Sequence, residues 1–470
     1  MAQRTSRAGL IALVVVALFY AAALPVVFSN NIAEGRAAAD HLNYHEPVVH
    51  AFTEEWPRPD FSNYHSATTP LYHLILAGAR VTFDPSRRGL MLLASAFTAG
   101  LLALLVLALP GTNPQRLTLA LPIVGSMYVL FPGIWLLPDN AAWLGVLGII
   151  VLALRARRLA TLCIAGSVML LALVLTRQIH LWAAGVLWAA AWLGSSEVES
   201  DSDSPAAPLP SPITLVRELF TCIPARFVRL VCVVLATLPA TLALVYFLRL
   251  WDGLIVPRYQ SVYHGWNPAT PAFFLAIIGS FAPFYAAYAW TGFKRLAASR
   301  VLLGVLVVAA ICLVIIPTTT YDVDAGRKSG LWNLVKMVPT IAGHTSPVLL
   351  VLAPVGMVLL AGLLSQVPRR AGWIFLGAMV GFVAAQTFSP ELWQRYHEPF
   401  ILIMLALLCA HSRHGSDSQV LNVARILGPV LLAVALGVLS AYTILTDTPA
   451  ASLRSGDFER SVEFEPLPVR

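Results

Sequence analysis

The sequence predicts an all-α, polytopic bundle of membrane-spanning helices, and three observations carry that prediction. Of 470 residues, 58% are hydrophobic and 12% charged, with a mean hydropathy of +0.75; that is about half the charged fraction of a soluble domain. Apolar runs of about 20 residues, enough to cross a hydrocarbon core about 30 Å thick, recur along the whole chain. Between them, Lys and Arg come in twos and threes at alternate loops, as short cytoplasmic loops do.

Taken in order, the runs place about thirteen spans, at 8–28, 89–109, 118–137, 140–154, 159–175, 179–194, 229–249, 270–292, 299–317, 347–366, 371–387, 398–411 and 426–446. The first follows Arg4 and Arg7 as a signal peptide would, but it is long enough to span and many spans follow it, so it reads as a retained anchor. With the N-terminus inside, the loops expected in the cytoplasm carry Arg116, then Arg155, Arg157 and Arg158, then Arg217, Arg226 and Arg229, then Lys294, Arg295 and Arg300, then Arg369 and Arg370, then Arg413 and Arg425. The whole chain, 1–470, reads as one transmembrane domain. Residues 195–212, acidic and rich in Ser and Pro, read as a disordered cytoplasmic linker, and 448–470 as an outer tail.

The long first outer loop, 29–88, carries Arg36, Arg58, Arg80, Arg87 and Arg88, which a long translocated segment tolerates. Its apolar piece from Leu71 to Val81 is too short to span and reads as an interfacial or re-entrant helix. The net charge of +7 is spread over these loops instead of one basic face, which argues against a nucleic-acid partner. Cys163, Cys222, Cys232, Cys312 and Cys409 form no CxxC or Cys/His pattern and read as small core hydrophobes.

This topology gathers the polar residues at the outer ends of helices: His45 and Glu46, Asp139, Arg177 with Gln178 and His180, Asp252, Asp322 to Lys328, and Glu391 to Glu398. The first outer loop is densest, with Asp40, His41, His45, Glu46, His50, Glu54 and Glu55 before its proline-rich turn. That density raises the question of a metal, but no HExxH or paired-His spacing occurs, and no metal is expected. A solvated amphipathic loop, or a general base at the membrane surface, also fits these residues. No Walker A, GxGxxG or GxSxG pattern occurs in a plausible context. A carboxylate beside helix-end arginines above a large apolar body suits a lipid-linked anionic substrate: the chain lies among helices, Arg meets the phosphate, and the carboxylate activates the acceptor. A transporter or flippase of such a substrate is the alternative, although no repeated segment is seen and the charged residues cluster at one face instead of the midplane. A purely structural subunit would leave the outer acids without a role.

At these residues the chain resembles the alpha-1,2-glucosyltransferases that use dolichyl-phosphate glucose and add the last glucose to a lipid-linked oligosaccharide. His45-Glu46 stands where that family has an acidic pair, and Thr68-Thr69-Pro70-Leu71-Tyr72 matches its Thr-Thr-Pro stretch. Arg177-Gln178, followed by Ile179 and Trp182, is similar to its Arg-Gln before an apolar helix. Asp252-Gly253-Leu254-Ile255-Val256, followed by Tyr259, His264 and Pro268, resembles its glycine-containing outer loop. Asp324-Ala325-Gly326-Arg327-Lys328 lies at the place of an Asp-Asn-Arg-like sequence, matching it in part. Gln386 with Arg395-Tyr396 and Pro399 is similar to its last outer motif. These islands run in order from about residue 44 to 400, with low identity between them.

The resemblance implies a GT-C membrane glycosyltransferase, inverting, acting outside the cytoplasm without a nucleotide sugar or cofactor. Its partners would be a polyprenyl- or dolichyl-phosphate sugar donor, most simply glucose, and a lipid-linked or other glycan acceptor, within membrane lipid. Glu46 would accept the proton of the attacking hydroxyl, with His45 beside it in place of the family's first acid; Asp40 is a possible substitute for that acid. Arg395 and Arg177, with Lys328 or Arg327, would hold the donor phosphate. Gln178, Asp139 and His264, with Tyr396 and Asp324, would contact substrate. The expected location is a plasma membrane if prokaryotic or the endoplasmic reticulum membrane if eukaryotic.

Overall fold

Apolar runs become helices because a helix satisfies its own backbone N–H and C=O groups where water is absent. The computed structural model describes residues 2–29, 38–194, 223–261, 265–320, 330–413 and 418–446. Within them every regular element is helical: α1 (Ala2–Phe28), α2 (Glu46–Glu54), α3 (Leu71–Phe83), α4 (Arg87–Ala108), α5 (Asn113–Gly125), α6 (Met127–Ile134), α7 (Asp139–Arg155), α8 (Leu159–Thr176), α9 (Ala184–Leu193), α10 (Ile223–Trp251), α11 (Thr270–Ala298), α12 (Arg300–Ile315), α13 (Pro347–Leu364), α14 (Arg369–Thr387), α15 (Gln394–His411) and α16 (Gln419–Thr446).

Each expected span falls on helix, with two differences of shape. The run 118–137 is broken: α5 and α6 meet at 70°. Ser126 stands in the break with extended backbone, and its hydroxyl caps the Tyr128 N–H at 3.2 Å. The run 179–194 opens as a 3-10 turn, Gln178–Ala183, before α9. Among the described residues seven helices are long and apolar enough to cross a membrane, namely α1, α4, α8, α10, α11, α13 and α16, or eight if the bent pair is one span. The other expected spans are shorter or carry charge, as α14 does with Arg369 and Arg370 and α15 with Arg395 and Glu398. α3 has 13 residues, too short to span as expected. The 195–212 linker and the 448–470 tail lie outside the described residues.

α15 is the central helix. From Pro399 to Ala410 every residue is buried, which a helix apolar on all sides requires of its surroundings. Around it, α10, α12 and α16 turn apolar side chains outward: Leu235 and Leu242, Val301 and Val305, Val434 and Val438 are all exposed. Such an outside is stable in hydrocarbon, and the architecture is that of a helical membrane bundle. α11 and α13 cross closely enough that a Cβ on Gly279 would lie 2.0 Å from the Leu352 carbonyl oxygen, and one on Gly356 the same distance from Leu275 O. Small residues let membrane helices approach in this way. Cys163, Cys232, Cys312 and Cys409 are free thiols. Cys409 is buried as expected, whereas Cys312 is exposed on α12, where an apolar exterior accepts it.

The two ends of the bundle differ. At one, arginines from the basic loops bond the last carbonyls of helices: Arg155 to Leu107 O at 2.7 Å, Arg370 to Gly194 O at 2.5 Å and Ala153 O at 2.8 Å, and Arg295 to Ser365 O at 2.7 Å. Cations there answer both the unpaired carbonyls and the negative helix terminus. The other end is built from long loops that bond across the fold: Thr69 Oγ1 to Val174 O at 2.6 Å, Trp251 Nε1 to Phe61 O at 2.7 Å and Trp332 Nε1 to Leu392 O at 2.7 Å. The described acids sit here, with the described histidines except His411, which ends α15 at the basic side.

Candidate functional site

The loop between α1 and α2 enters the bundle through a π-helical turn, His41–His45, whose closing bond runs from the Glu46 N–H to the His41 carbonyl. An i to i+5 turn changes which side chains share a face: Asp40 lines up with His45, and His41 with Glu46. π-turns are rare and frequent at functional sites. On the first face, Asp40 pairs with Arg395 at the start of α15. On the second, Glu46 is held by Arg87 at the start of α4, with Nε and Nη2 each 2.6 Å from a carboxylate oxygen. His41 Nε2 stands 3.6 Å from the same carboxylate, and His41 Nδ1 accepts from the Leu136 N–H at 3.1 Å.

Arg395 and Arg177 converge. Arg177 follows the last turn of α8 and pairs with Asp139, the first residue of α7, at 2.6 Å. Its guanidinium lies 5.0 Å from the ring centre of Tyr396, and that of Arg395 lies 4.9 Å from the same ring and 5.0 Å from Trp393. The Trp393 and Tyr396 rings stack at 5.7 Å, 3° from parallel. Guanidinium faces prefer such aromatic surfaces. Each cation keeps one carboxylate partner, so the group is close to neutral overall and its burial is tolerable.

His45 completes this face. Its Nδ1 lies 2.9 Å from Nε2 of His73 in α3, with the ring planes 11° from parallel and their centres 5.2 Å apart. Burial pushes its pKa down to about 3, opposed by Asp139 and reinforced by Arg395 and Arg177. His41 is pushed down to about 4, chiefly by burial, and His73 well below the ordinary value for the same reason. All three are neutral at pH 7.

Gln178, expected to contact substrate, is bonded to neighbouring loops. Its amide nitrogen donates to Ala67 O at 2.8 Å and Leu254 O at 3.0 Å, and its oxygen accepts from Thr69 N at 3.2 Å; it ties two loops to the turn after α8. Asp139, also expected to touch substrate, is buried against Arg177. His264, Asp324, Arg327 and Lys328 lie outside the described residues. Sequence reasoning left out His73, Trp393 and Arg87, and gave Asp40 only as a substitute acid. His73 follows directly on the Thr-Thr-Pro-Leu-Tyr stretch, and Trp393 precedes Arg395 by two residues, so nearness to the motifs was the available signal.

One turn further into α15, Glu398 is 1% exposed. It accepts from Ser126 Oγ at 2.6 Å and from Gln394 Nε2 at 2.5 Å, and Gln394 Oε1 accepts from Leu331 N at 2.6 Å. The carboxylate thus faces the N-terminus of α6, the positive end of that helix. Among the described residues no group of three or more His, Cys, Asp and Glu is arranged to hold a metal. Compared with protein-family models, curated proteins and solved structures, the chain matches none.

Proposed function

We propose that this protein is a membrane glycosyltransferase that moves a hexose, most simply glucose, from a polyprenyl- or dolichyl-phosphate sugar to a hydroxyl of a lipid-linked or other glycan, with inversion and in an alpha-1,2 linkage. The observation that carries the reading is the convergence of Arg177 and Arg395 on the Tyr396 ring, at the end of the bundle where the π-turn presents Glu46. Two fixed guanidiniums suit a phosphate on which charge grows as it leaves, because bidentate donors strengthen with that charge. Glu46 accepts the proton of the acceptor hydroxyl. It lies on a different face of the π-turn from Asp40 and His45, which supports an arrangement with base and leaving group on separate sides of the anomeric carbon. Arg87 holds the carboxylate in orientation. The donor's polyprenyl chain lies in the bilayer, and the site opens on the non-cytoplasmic side.

The test is transfer by purified protein from a panel of polyprenyl-phosphate sugars. Glu46→Gln is expected to lower transfer by about 10²–10⁴-fold, the usual contribution of a general base, with folding retained. Near-normal transfer by that variant removes Glu46 from the role.

A second reading, a transporter or flippase of a lipid-linked substrate, gains one specific observation. The α5–α6 break with the buried Glu398 against it is the kind of interrupted helix that transporters use. Translocation of a fluorescent polyprenyl-phosphate lipid in proteoliposomes, without hydrolysis or transfer, would favour it.

A further inference from the structure

The His45–His73 contact constrains where protons sit. A neutral imidazole carries one N–H, and between two neutral rings one nitrogen must donate and the other accept. His73 Nδ1 is buried with no partner. The ring is walled by Tyr72, Phe52 and Tyr64, with centroids at 5.5, 6.4 and 6.5 Å. A proton on that nitrogen would be an orphaned buried donor, which proteins avoid more strictly than an unused lone pair. The proton therefore sits on His73 Nε2 and is donated to His45 Nδ1 across 2.9 Å. His45, also neutral, then carries its own proton on Nε2. That nitrogen bonds no described group and is not among the sealed buried atoms. The charged groups acting on this ring are Asp139, Arg395 and Arg177, so it lies within the field of the arginine pair.

We propose that His45 is a fixed neutral hydrogen-bond donor, its tautomer set by His73, and that its Nε2–H binds an oxygen of the lipid-linked phosphate that Arg177 and Arg395 hold. The inference rests on the transferase reading for the identity of that phosphate, but the tautomer does not. In this reaction His45 removes no proton: with Nε2 already protonated, it has no lone pair to offer there. Its part is to bind the donor, and His73 is a positioning residue that acts through it. His45 thus stands where the resembling family has an acid yet has the opposite hydrogen-bonding sense, so it is no replacement for that acid as a base.

Two measurements separate the proposal from the reading beneath it. In protein with ¹⁵N-labelled histidine in nanodiscs, with His45→Gln used for assignment, His45 should show a protonated Nε2 and a bare Nδ1. Undecaprenyl phosphate should shift the Nε2 signal, and His73→Leu should let both tautomers appear. A bare Nε2 on His45, or an Nε2 signal indifferent to undecaprenyl phosphate, overturns the proposal whether or not any sugar is transferred. In transfer assays His45→Leu should raise the donor KM by about tenfold to a hundredfold, the worth of one hydrogen bond to a charged acceptor. His45→Gln, which keeps an N–H near the same point, should recover most of that loss. An unchanged donor KM in His45→Leu overturns the proposal while leaving the transferase reading intact; wild-type protein that uses no polyprenyl-phosphate sugar overturns the reading and leaves the tautomer measurement standing.

Discussion

The hydroxyl of Ser126 donates to the carboxylate of Glu398 at 2.6 Å, joining the break between α5 and α6 to the central helix α15. Ser126 also accepts from the Tyr128 N–H, so one side chain caps α6 and satisfies a buried acid. Ser126→Ala is expected to destabilise the protein by roughly 1–3 kcal/mol, the cost of leaving a buried acceptor short of a partner. Thermal unfolding in detergent checks this; an unchanged midpoint would show that the bond does not hold the bend.

The Arg177–Asp139 pair is largely buried, with side-chain exposures of 14% and 5%. Removing one partner strands the other: Arg177→Leu is expected to cost about 3–5 kcal/mol, and the double replacement Arg177→Leu with Asp139→Leu to recover most of that. Equal losses in the single and double variants would mean that the pair contributes through something other than its charges.

Stability should depend on pH through the buried histidines. Their folded pKa values lie below the unfolded value of about 6.5, near 4 for His41 and near 3 for His45, with His73 also well below. Above about 6.5 both states leave them neutral and they add no slope. As pH falls from about 6.5 towards 4 and 3, the unfolded chain binds protons that the folded one refuses, so stability is lost. Unfolding midpoints followed from about pH 8 downward should be flat and then fall, less steeply in His73→Phe. A rise in stability over that interval contradicts the burial of these rings as neutral groups.

Close crossing of α11 and α13 gives a sharper test. A leucine at Gly279 or Gly356 has no room, since even its Cβ would meet a backbone carbonyl oxygen at 2.0 Å. Either variant should lose the folded protein from detergent extracts, measured by size-exclusion chromatography, whereas Gly304→Leu, with open space beside it on α12, should not. Normal yield of Gly279→Leu would place the two helices farther apart.

Much of the fold was legible because its signal is length and apolarity, which need no partner to be read: each expected span falls on helix, though one of them is broken. The bend at Ser126 was less so. Gly125 and Ser126 lie between Pro122 and Pro132, and Gly/Ser pairs do kink helices, yet the run remains apolar throughout and reads as one span. In the site, the topology set Arg177 and Arg395 at helix ends on one side, and only the family resemblance joined them. Which carboxylate meets which arginine was not legible, because it depends on the phase of a π-turn. With an ordinary turn of 3.6 residues, His41 would share its face with His45 instead of Glu46. The reach of Arg87 back to Glu46, 41 positions earlier, leaves no local pattern, and the His45–His73 contact joins two short helices that composition alone cannot orient.

The most direct measurement of the central claim is sugar transfer by the purified protein in nanodiscs, given undecaprenyl-phosphate glucose and a glycan acceptor, with wild type, Glu46→Gln and Arg395→Lys side by side. The account predicts transfer by wild type. It predicts loss of about 10²-fold or more in Glu46→Gln, and weakened donor use in Arg395→Lys, which keeps the charge but loses the guanidinium fork. Transfer that is equal in all three, or absent from wild type across the whole panel of polyprenyl-phosphate sugars while the same lipids are moved across the bilayer, would contradict it.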